Sequence, residues 1–299
     1  RFVMKRKLVK HGEATLMVSV PSKWIKQKNL GKGDEVDIIE SDGNLVVSTE
    51  RKYKKKEKEI TFSSETESSL RMVIANAYRS GYEKLVVRFE NDKQLSMIKE
   101  VVEKHLLGFE VIKEDKSSCI IENITEPSIE QFDNIFSKVL INIESLLDSV
   151  AQYLNGKTSD FEKTEEKIIE FDNFCRRVIY RQGNLEGQQL RWAFHTALNH
   201  GQRELYQLLV FLKKNKVKET KELGDLLEKV REVFTLLKSA YYEKSQKTIN
   251  KIHLIEKNFI YTKGYELLKK SNEPIVIHHL LNSLRNFYLA TSPLGGMLI

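Results

Sequence analysis

This chain is poor in cysteine. Its 299 residues include only Cys119 and Cys175, far apart and in apolar settings. That excludes a disulfide framework and a cysteine-rich zinc site, and points to a reducing cytoplasm. Long apolar runs are also missing: none approaches the roughly 18 residues of a membrane span. The mean hydropathy is −0.42, so no membrane insertion is expected. The opening Arg1-Phe2-Val3-Met4 is too short and too quickly charged for a secretion signal, and Met4 reads as the initiator. No glycine-rich phosphate loop joins any strand to its helix. No Ser–His–Asp, Cys–His or paired-carboxylate arrangement stands out, so no enzyme is expected and no cofactor is called for. Prolines number four, and each falls at an expected boundary: Pro21, Pro127, Pro274 and Pro293.

What is present is an uneven charge. The formal net charge is +7, and residues 1 to 58 hold 15 Lys and Arg against 8 Asp and Glu. The remainder is balanced, with 34 of each sign. A positive excess confined to the first fifth of a chain favours a polyanion partner such as DNA over a merely solvated face. Anionic lipid is disfavoured, because the segment has no helix with a large apolar face.

The stretch from Lys5 to Thr49 carries that charge. Leu16 to Val20 reads as a half-buried strand, broken by Pro21, with one or two helical turns over Ser22 to Lys28. Asn29-Leu30-Gly31-Lys32-Gly33-Asp34 supplies turn formers. Val36 to Ile39 and Leu45 to Val47 are further strands around the turn Ser41-Asp42-Gly43-Asn44. So short a segment cannot close a good core alone, and it is expected to dimerise. The run from Arg51 to Lys58 has no apolar period and reads as a basic linker or strand edge.

From Glu59 strands and helices alternate. Ile60-Thr61-Phe62, Lys84 to Phe89, Phe109 to Ile112 and Ser118 to Ile121 are expected strands. Helices with Leu70, Val73, Ile74 and Ala77, and with Leu95, Ile98, Val101, Val102 and Leu106, fall between them. Ser64 or Thr66 would cap the first helix, and Gly81 and Gly108 would end the two. The result is a small βαβαββ layer over 59–125 with no chemistry of its own. Ser128 to Gln131 then reads as a capping box. An unbroken helical period follows from Phe132 through Leu140 and Leu147 to Leu154. Two more helices carry Phe161, Ile168, Phe174 and Val178, and then Leu190, Phe194, Leu198, Leu205 and Leu212. Three further ones carry Leu223 to Leu237, Ile249 to Ile260 and, after Pro274, Ile277 to Phe287. Pro293-Leu294-Gly295-Gly296 is expected to break helix. Six helices in two sets of three suggest a duplicated three-helix bundle over 128–299, with repeats at about 128–214 and 220–292.

The basic first strand (Lys5, Arg6, Lys7, Lys10), Gly12, Val18-Ser19-Val20-Pro21-Ser22-Lys23-Trp24 and Leu30-Gly31-Lys32-Gly33-Asp34-Glu35-Val36 together resemble the SpoVT/AbrB-like swapped-hairpin DNA-binding domain. Ser19 before Val20-Pro21, with Trp24 after, is similar to the version fused to archaeal PhoU-type phosphate uptake regulators. The layer and the two helical sets resemble the rest of that architecture. The implied fold class is multidomain α+β. It has a dimeric swapped-hairpin β-barrel over 1–50, a basic linker over 51–58, an α/β connector, and an all-α PhoU-like pair of three-helix bundles.

By that resemblance Lys5, Arg6, Lys7, Lys10, Lys23 and Lys26 face double-stranded DNA. They suit phosphate contacts, and lysine outnumbers arginine, the better bidentate reader of guanine. Modest specificity, partly carried by DNA shape, is the expectation. The PhoU-like family carries an acidic motif for metal, with a carboxylate four residues before Asp. Here Glu170, Asp172 and Arg176 make it degenerate, since Arg176 stands where an Asp is expected. The partner helix reads Asn199-His200-Gly201-Gln202-Arg203, and from Arg176 onward Asp225 is the single aspartate. Hard cations want carboxylate oxygens, so no metal is expected. His195 and His200 at i, i+5, and the adjacent His278 and His279, read as satisfied surface or boundary histidines.

The expected function is a cytoplasmic, homodimeric, DNA-binding transcriptional regulator of phosphate uptake, whose helical half senses a signal or receives a phosphate-transport or signalling protein. The alternative is a non-enzymatic PhoU-like adaptor on a transporter or kinase, its N-terminal segment serving mainly to dimerise. A metal-dependent helical protein is a third reading.

Overall fold

The structure is a computed structural model. It describes residues 5–12, 15–41, 44–49, 56–62, 66–181, 187–217 and 220–299. The chain divides into two compact units, Arg1–Lys55 and Lys56–Ile299. The layer anticipated at 59–125 therefore belongs with the helices in the second.

Among the described residues the first unit holds two antiparallel hairpins. Strand β1 (Val9–His11) pairs with β2 (Thr15–Met17), Val9 opposite Met17. Helix α1 (Ser22–Gln27) follows Pro21, whose fixed φ of −60° suits a helix entry. Strand β3 (Val36–Ser41) pairs with β4 (Asn44–Thr49), Ser41 opposite Asn44. Asp42 and Gly43, at the centre of the expected turn, lie outside the described residues. The strand expected to run to Val20 stops at Met17, because a ladder needs a partner and β1 begins at Val9.

The second unit opens on β5 (Glu57–Thr61), so the end of the expected basic linker is already strand. It continues through α2 (Glu67–Arg79), β6 (Lys84–Arg88), α3 (Asp92–His105), β7 (Phe109–Asp115) and β8 (Ser118–Asn123). The sheet order is β5-β6-β8-β7, with β5 parallel to β6 and the other pairs antiparallel. Glu57, Lys58 and Glu59 run consecutively along β5, an edge strand, where charge blocks further pairing. Leu85, Val87, Cys119 and Ile121 are buried with Leu70, Ile74, Ile98 and Val101 of the two helices. Of the expected caps for α2, Ser64 lies outside the described residues. Thr66 occupies the cap position, with its hydroxyl on Ser69 Oγ. Gly108 has φ +82°, and a Cβ there would meet the Glu126 backbone at 2.5 Å. Only glycine fits that crossing.

Eight α-helices follow, α4 (Phe132–Leu154), α5 (Phe161–Arg181), α6 (Gln188–Lys214), α7 (Lys221–Glu243), α8 (Gln246–Ile255), α9 (Lys263–Lys270), α10 (Pro274–Leu289) and α11 (Thr291–Met297). The expected capping box at Ser128 forms instead a single 3₁₀ turn, Ile129–Gln131, ahead of α4, and Ser128 makes no capping bond to the backbone. The fifth helix of the expected six is divided, α8 passing through a π-helical turn, Glu256–Ile260, before α9. The expected break at Pro293 is also corrected. Pro293 sits in the first turn of α11, where its missing N–H removes no helical bond.

The two sets of helices share one continuous hydrophobic core, running from Phe136 and Leu147 of α4 to Leu280 and Leu284 of α10. Helix α6 lies at its centre, packed on α4, α5, α10 and α11. At its crossing with α10, a Cβ on Gly201 would stand 2.4 Å from the Phe287 ring. Ser283 Oγ donates to the Gly201 carbonyl across the same contact at 3.0 Å.

Helix α5 also packs on α2 and α3, which seats the α/β layer on the helices. The fully buried Arg177 guanidinium donates to Glu126 Oε1 and Oε2 at 2.7 and 3.1 Å. It donates as well to the carbonyls of Tyr78 and Tyr82 at 2.7 and 2.8 Å. Asn173 Nδ2 donates to the His105 carbonyl, and Arg79 Nε to Asn173 Oδ1, both at 2.8 Å.

Candidate nucleic-acid interface

All six cations singled out for DNA are exposed: Lys5, Arg6, Lys7 and Lys10 along the first segment, Lys23 and Lys26 on α1. Lys5, Arg6 and Lys7 precede β1, and Lys10 lies within it. Lys23 and Lys26 are i, i+3 on a helix whose first turn holds no acid. Each is an exposed cation, which suits phosphate contact and not base reading.

Beside these cations lies apolar surface. Leu8, Val9, Leu16, Met17, Val18, Ile38 and Leu45 are each 47% exposed or more. No residue of this unit whose side chain is described is buried. Exposed apolar side chains in this number mark surface meant to be covered, and unpaired strand edges add open backbone donors and acceptors.

Two residues of the degenerate acidic motif, Asp172 and Arg176, meet His195 and Asn199 in the helical unit as a closed polar cluster. Asp172 is buried; its Oδ2 accepts from Arg176 Nε at 2.7 Å and Asn199 Nδ2 at 3.1 Å. Its Oδ1 pairs with His195 Nδ1 at 2.7 Å. Burial works to raise the Asp172 pKa, but the Arg176 charge and the His195 hydrogen bond overcome it and hold the carboxyl below its ordinary range. Burial lowers the pKa of His195 against the pull of Asp172. An ionised carboxylate accepting from a neutral imidazole follows. Arg176 also donates to Thr196 Oγ1 at 3.0 Å and stacks over Trp192. Glu170, on another face, accepts from Lys167 at 2.7 Å. The Arg176 guanidinium thus supplies the counter-charge to the Asp172 carboxylate. Among the described residues no group of three or more His, Cys, Asp or Glu is placed to hold a metal.

His195 is therefore not a boundary residue, which corrects the sequence reading. Its signal was available. His195, Leu198, Gln202, Leu205, Leu209 and Leu212 follow one 3–4 spacing down the buried stripe of α6. On α5, Phe161, Ile168, Asp172, Cys175 and Ile179 share such a stripe, with half-buried Glu165 on the same spacing. Of the other histidines, His200 is exposed, His279 pairs with Glu204 at 2.8 Å and His278 with Asn282 at 3.0 Å.

Residues 12–58 match the family model described as antidote-toxin recognition MazE, bacterial antitoxin. The matched span takes in Lys23 and Lys26 and leaves Lys5, Arg6, Lys7 and Lys10 before it. Comparison with curated proteins and with solved structures gave no match. The match supports a DNA-binding or antitoxin-type regulatory segment at the start of the chain. No helix of the described residues is long and apolar enough to cross a membrane.

Proposed function

We propose that the chain is a dimeric DNA-binding regulator whose first unit is completed by a second copy of itself. The observation that carries this reading is the pairing of a strand unit that buries none of its described side chains with a concentration of exposed cations. Two copies would supply the missing partner for Val18 to Val20 and cover the apolar strand faces. They would also place twelve cations, six from each chain, on one assembly. The resemblance to PhoU-type regulators extends the reading to control of phosphate uptake, with the helical unit receiving a signal or a partner protein.

Salt tests it. Binding of duplex DNA, followed by fluorescence anisotropy, is expected to fall with a log–log slope near −0.9 per phosphate neutralised. Replacing Arg6 and Lys7 by alanine flattens that slope by about one unit for each phosphate no longer neutralised, summed over both chains. Replacing Lys213 and Lys214, exposed on α6, does not. Equal effects from the two double variants would remove the first unit as the DNA-binding face. A second reading comes from the description of the matched family: an antitoxin-type regulator whose remaining unit captures a toxin protein. It requires a stoichiometric protein partner co-purifying with the intact chain and lost when the helical surface is altered.

A further inference from the structure

A second site lies in the helical unit, away from anything the DNA reading uses. Between α2 and the α5–α6 pair is a cleft of about 570 Å³. Arg71 and Arg79 line it from α2 and Arg203 from α6. Three arginines lining one small space, of which Arg79 also donates to Asn173 and Asn76, are an arrangement suited to carboxylate or phosphate.

The floor of the cleft is unfinished. Helices α5 and α6 run antiparallel, with Asp172 meeting His195. Seven residues further along each helix, in opposite directions, stand half-buried Glu165 and buried Gln202, which brings them level, and both line the cleft. The Asp172–His195 layer is closed by mutual hydrogen bonds, but the Glu165–Gln202 layer is not. Gln202 is 1% exposed, and its Oε1 has no hydrogen-bond partner. Among the described residues Glu165 makes no hydrogen bond or ion pair. A buried acceptor without a donor costs free energy in the empty protein and calls for an explanation. A ligand donor would supply the missing bond.

We propose that this cleft binds a small organic oxyanion, a phosphate or carboxylate held by Arg71, Arg79 and Arg203, with a hydroxyl or amino donor reaching Gln202 Oε1. The volume is within the range of small-molecule sites, and Tyr206 and Ile169 offer apolar wall beside the charges. Charge balance agrees. Burial pushes the Glu165 carboxyl up to about 7, against the Arg71 and Arg203 charges and with help from Glu166 and Glu67. Near neutrality it therefore only partly cancels the arginines, and its protonated form is a further donor to the anion. Glu67 is held near Arg71 at 3.6 Å. The remaining neighbour, Tyr206, has a raised pKa and stays neutral.

The test is calorimetric titration of the intact chain with three probes: malate, glycerol 3-phosphate and uncharged glycerol. Malate or glycerol 3-phosphate is expected to bind, the stronger of the two identifying the acid group, while glycerol does not. Arg203→Gln, a substitution on an exposed side chain, weakens binding by about tenfold. Gln202→Met weakens it similarly and leaves the melting temperature of the free protein unchanged or higher, because it removes the orphaned acceptor. A purely structural role for Gln202 would lower that temperature. Malate is doubly ionised throughout the range from about pH 6 to about pH 8. Its affinity should fall over that range as Glu165 ionises, and Glu165→Gln should abolish the trend. No binding of either anion at about 10 mM, or binding indifferent to both Arg203→Gln and Gln202→Met, overturns the proposal.

Discussion

Replacing Arg177 by methionine isolates what holds the α/β layer to the helices. Methionine fills much of the arginine stem's volume, so loss of packing contributes little. The polar losses dominate. The Tyr78 carbonyl keeps a second donor, the Gly81 N–H at 3.0 Å. The Tyr82 carbonyl loses the Arg177 hydrogen bond, at a cost of about 1–3 kcal/mol. Glu126 keeps Asn123 Nδ2 at 2.7 Å and Arg181 at 3.2 Å. Its share therefore falls below the roughly 3–5 kcal/mol seen when a buried pair loses its whole counter-charge. The sum is about 4 kcal/mol, which for a unit of this size lowers the melting temperature by roughly 8–16 °C. Scanning calorimetry on the intact chain reads the transition of the larger unit. Adding Glu126→Gln to Arg177→Met should recover about 2 kcal/mol, since the stranded charge is then gone. A single variant within about 1 kcal/mol of the parent, or a double variant that loses the full sum of the two single ones, would refute this account.

Three further outcomes follow from the same geometry. Burial, aided by the Arg71 charge, lowers the pKa of His105 to about 4, and its Nδ1 has no partner. The unfolded chain then takes up that proton first as pH falls. Up to about 3 kcal/mol of stability, complete above pH ~6.5, is lost toward pH ~4. Glu165 acts in the opposite sense, losing stability as pH rises through about 7, so the His105 share is read as the difference between the parent and His105→Leu. Thermal unfolding curves with the same pH dependence in both would contradict it. Asp172→Asn strips the buried Arg176 of its counter-charge and should cost about 3–5 kcal/mol in urea unfolding; a loss under 1 kcal/mol would show that the cluster is not electrostatically held. Gly108→Ala combines a left-handed φ with a Cβ against the Glu126 backbone. It should cost about 3 kcal/mol or more, and unchanged unfolding would contradict the crossing described.

The elements that were legible in the sequence are those set by local rules. The βαβαββ succession could be read because β-branched runs alternate with helical periods, and Gly81 and Gly108 mark the helix ends. The exposed cations could be read as well, since Lys5 to Lys10 have no apolar period to bury them. What escaped reading depends on which neighbour a helix face meets. Arg176 and Arg177 are adjacent and chemically identical, yet one closes the Asp172 cluster and the other crosses to Glu126. Their positions around α5 differ by about 100°, and only the packing of α2 and α3 gives that difference meaning. The burial of His195 escaped reading for another reason. The stripe was followed by its leucines, and the polar residues that share its spacing were passed over. Helix α11 escaped reading because Pro293 also suits the first turn of a new helix, and its neighbours Gly295 and Gly296 read as breakers.

The shared core of the two helical sets bears on how this protein could be divided. Repetition in a sequence invites the idea of separable modules, each a spare part that a gene fragment could encode. Here Gly201 and Phe287 come from different sets and leave no room between them, and Ser283 ties the same contact with a hydrogen bond. A chain ended after α6 would display the apolar stripe that α10 normally hides, and one begun at α7 would display its complement. Neither is a portable part. Anyone wishing to graft the helical unit onto another sensor must carry all of it, from α4 to α11, together with the layer that Arg177 fastens to its flank.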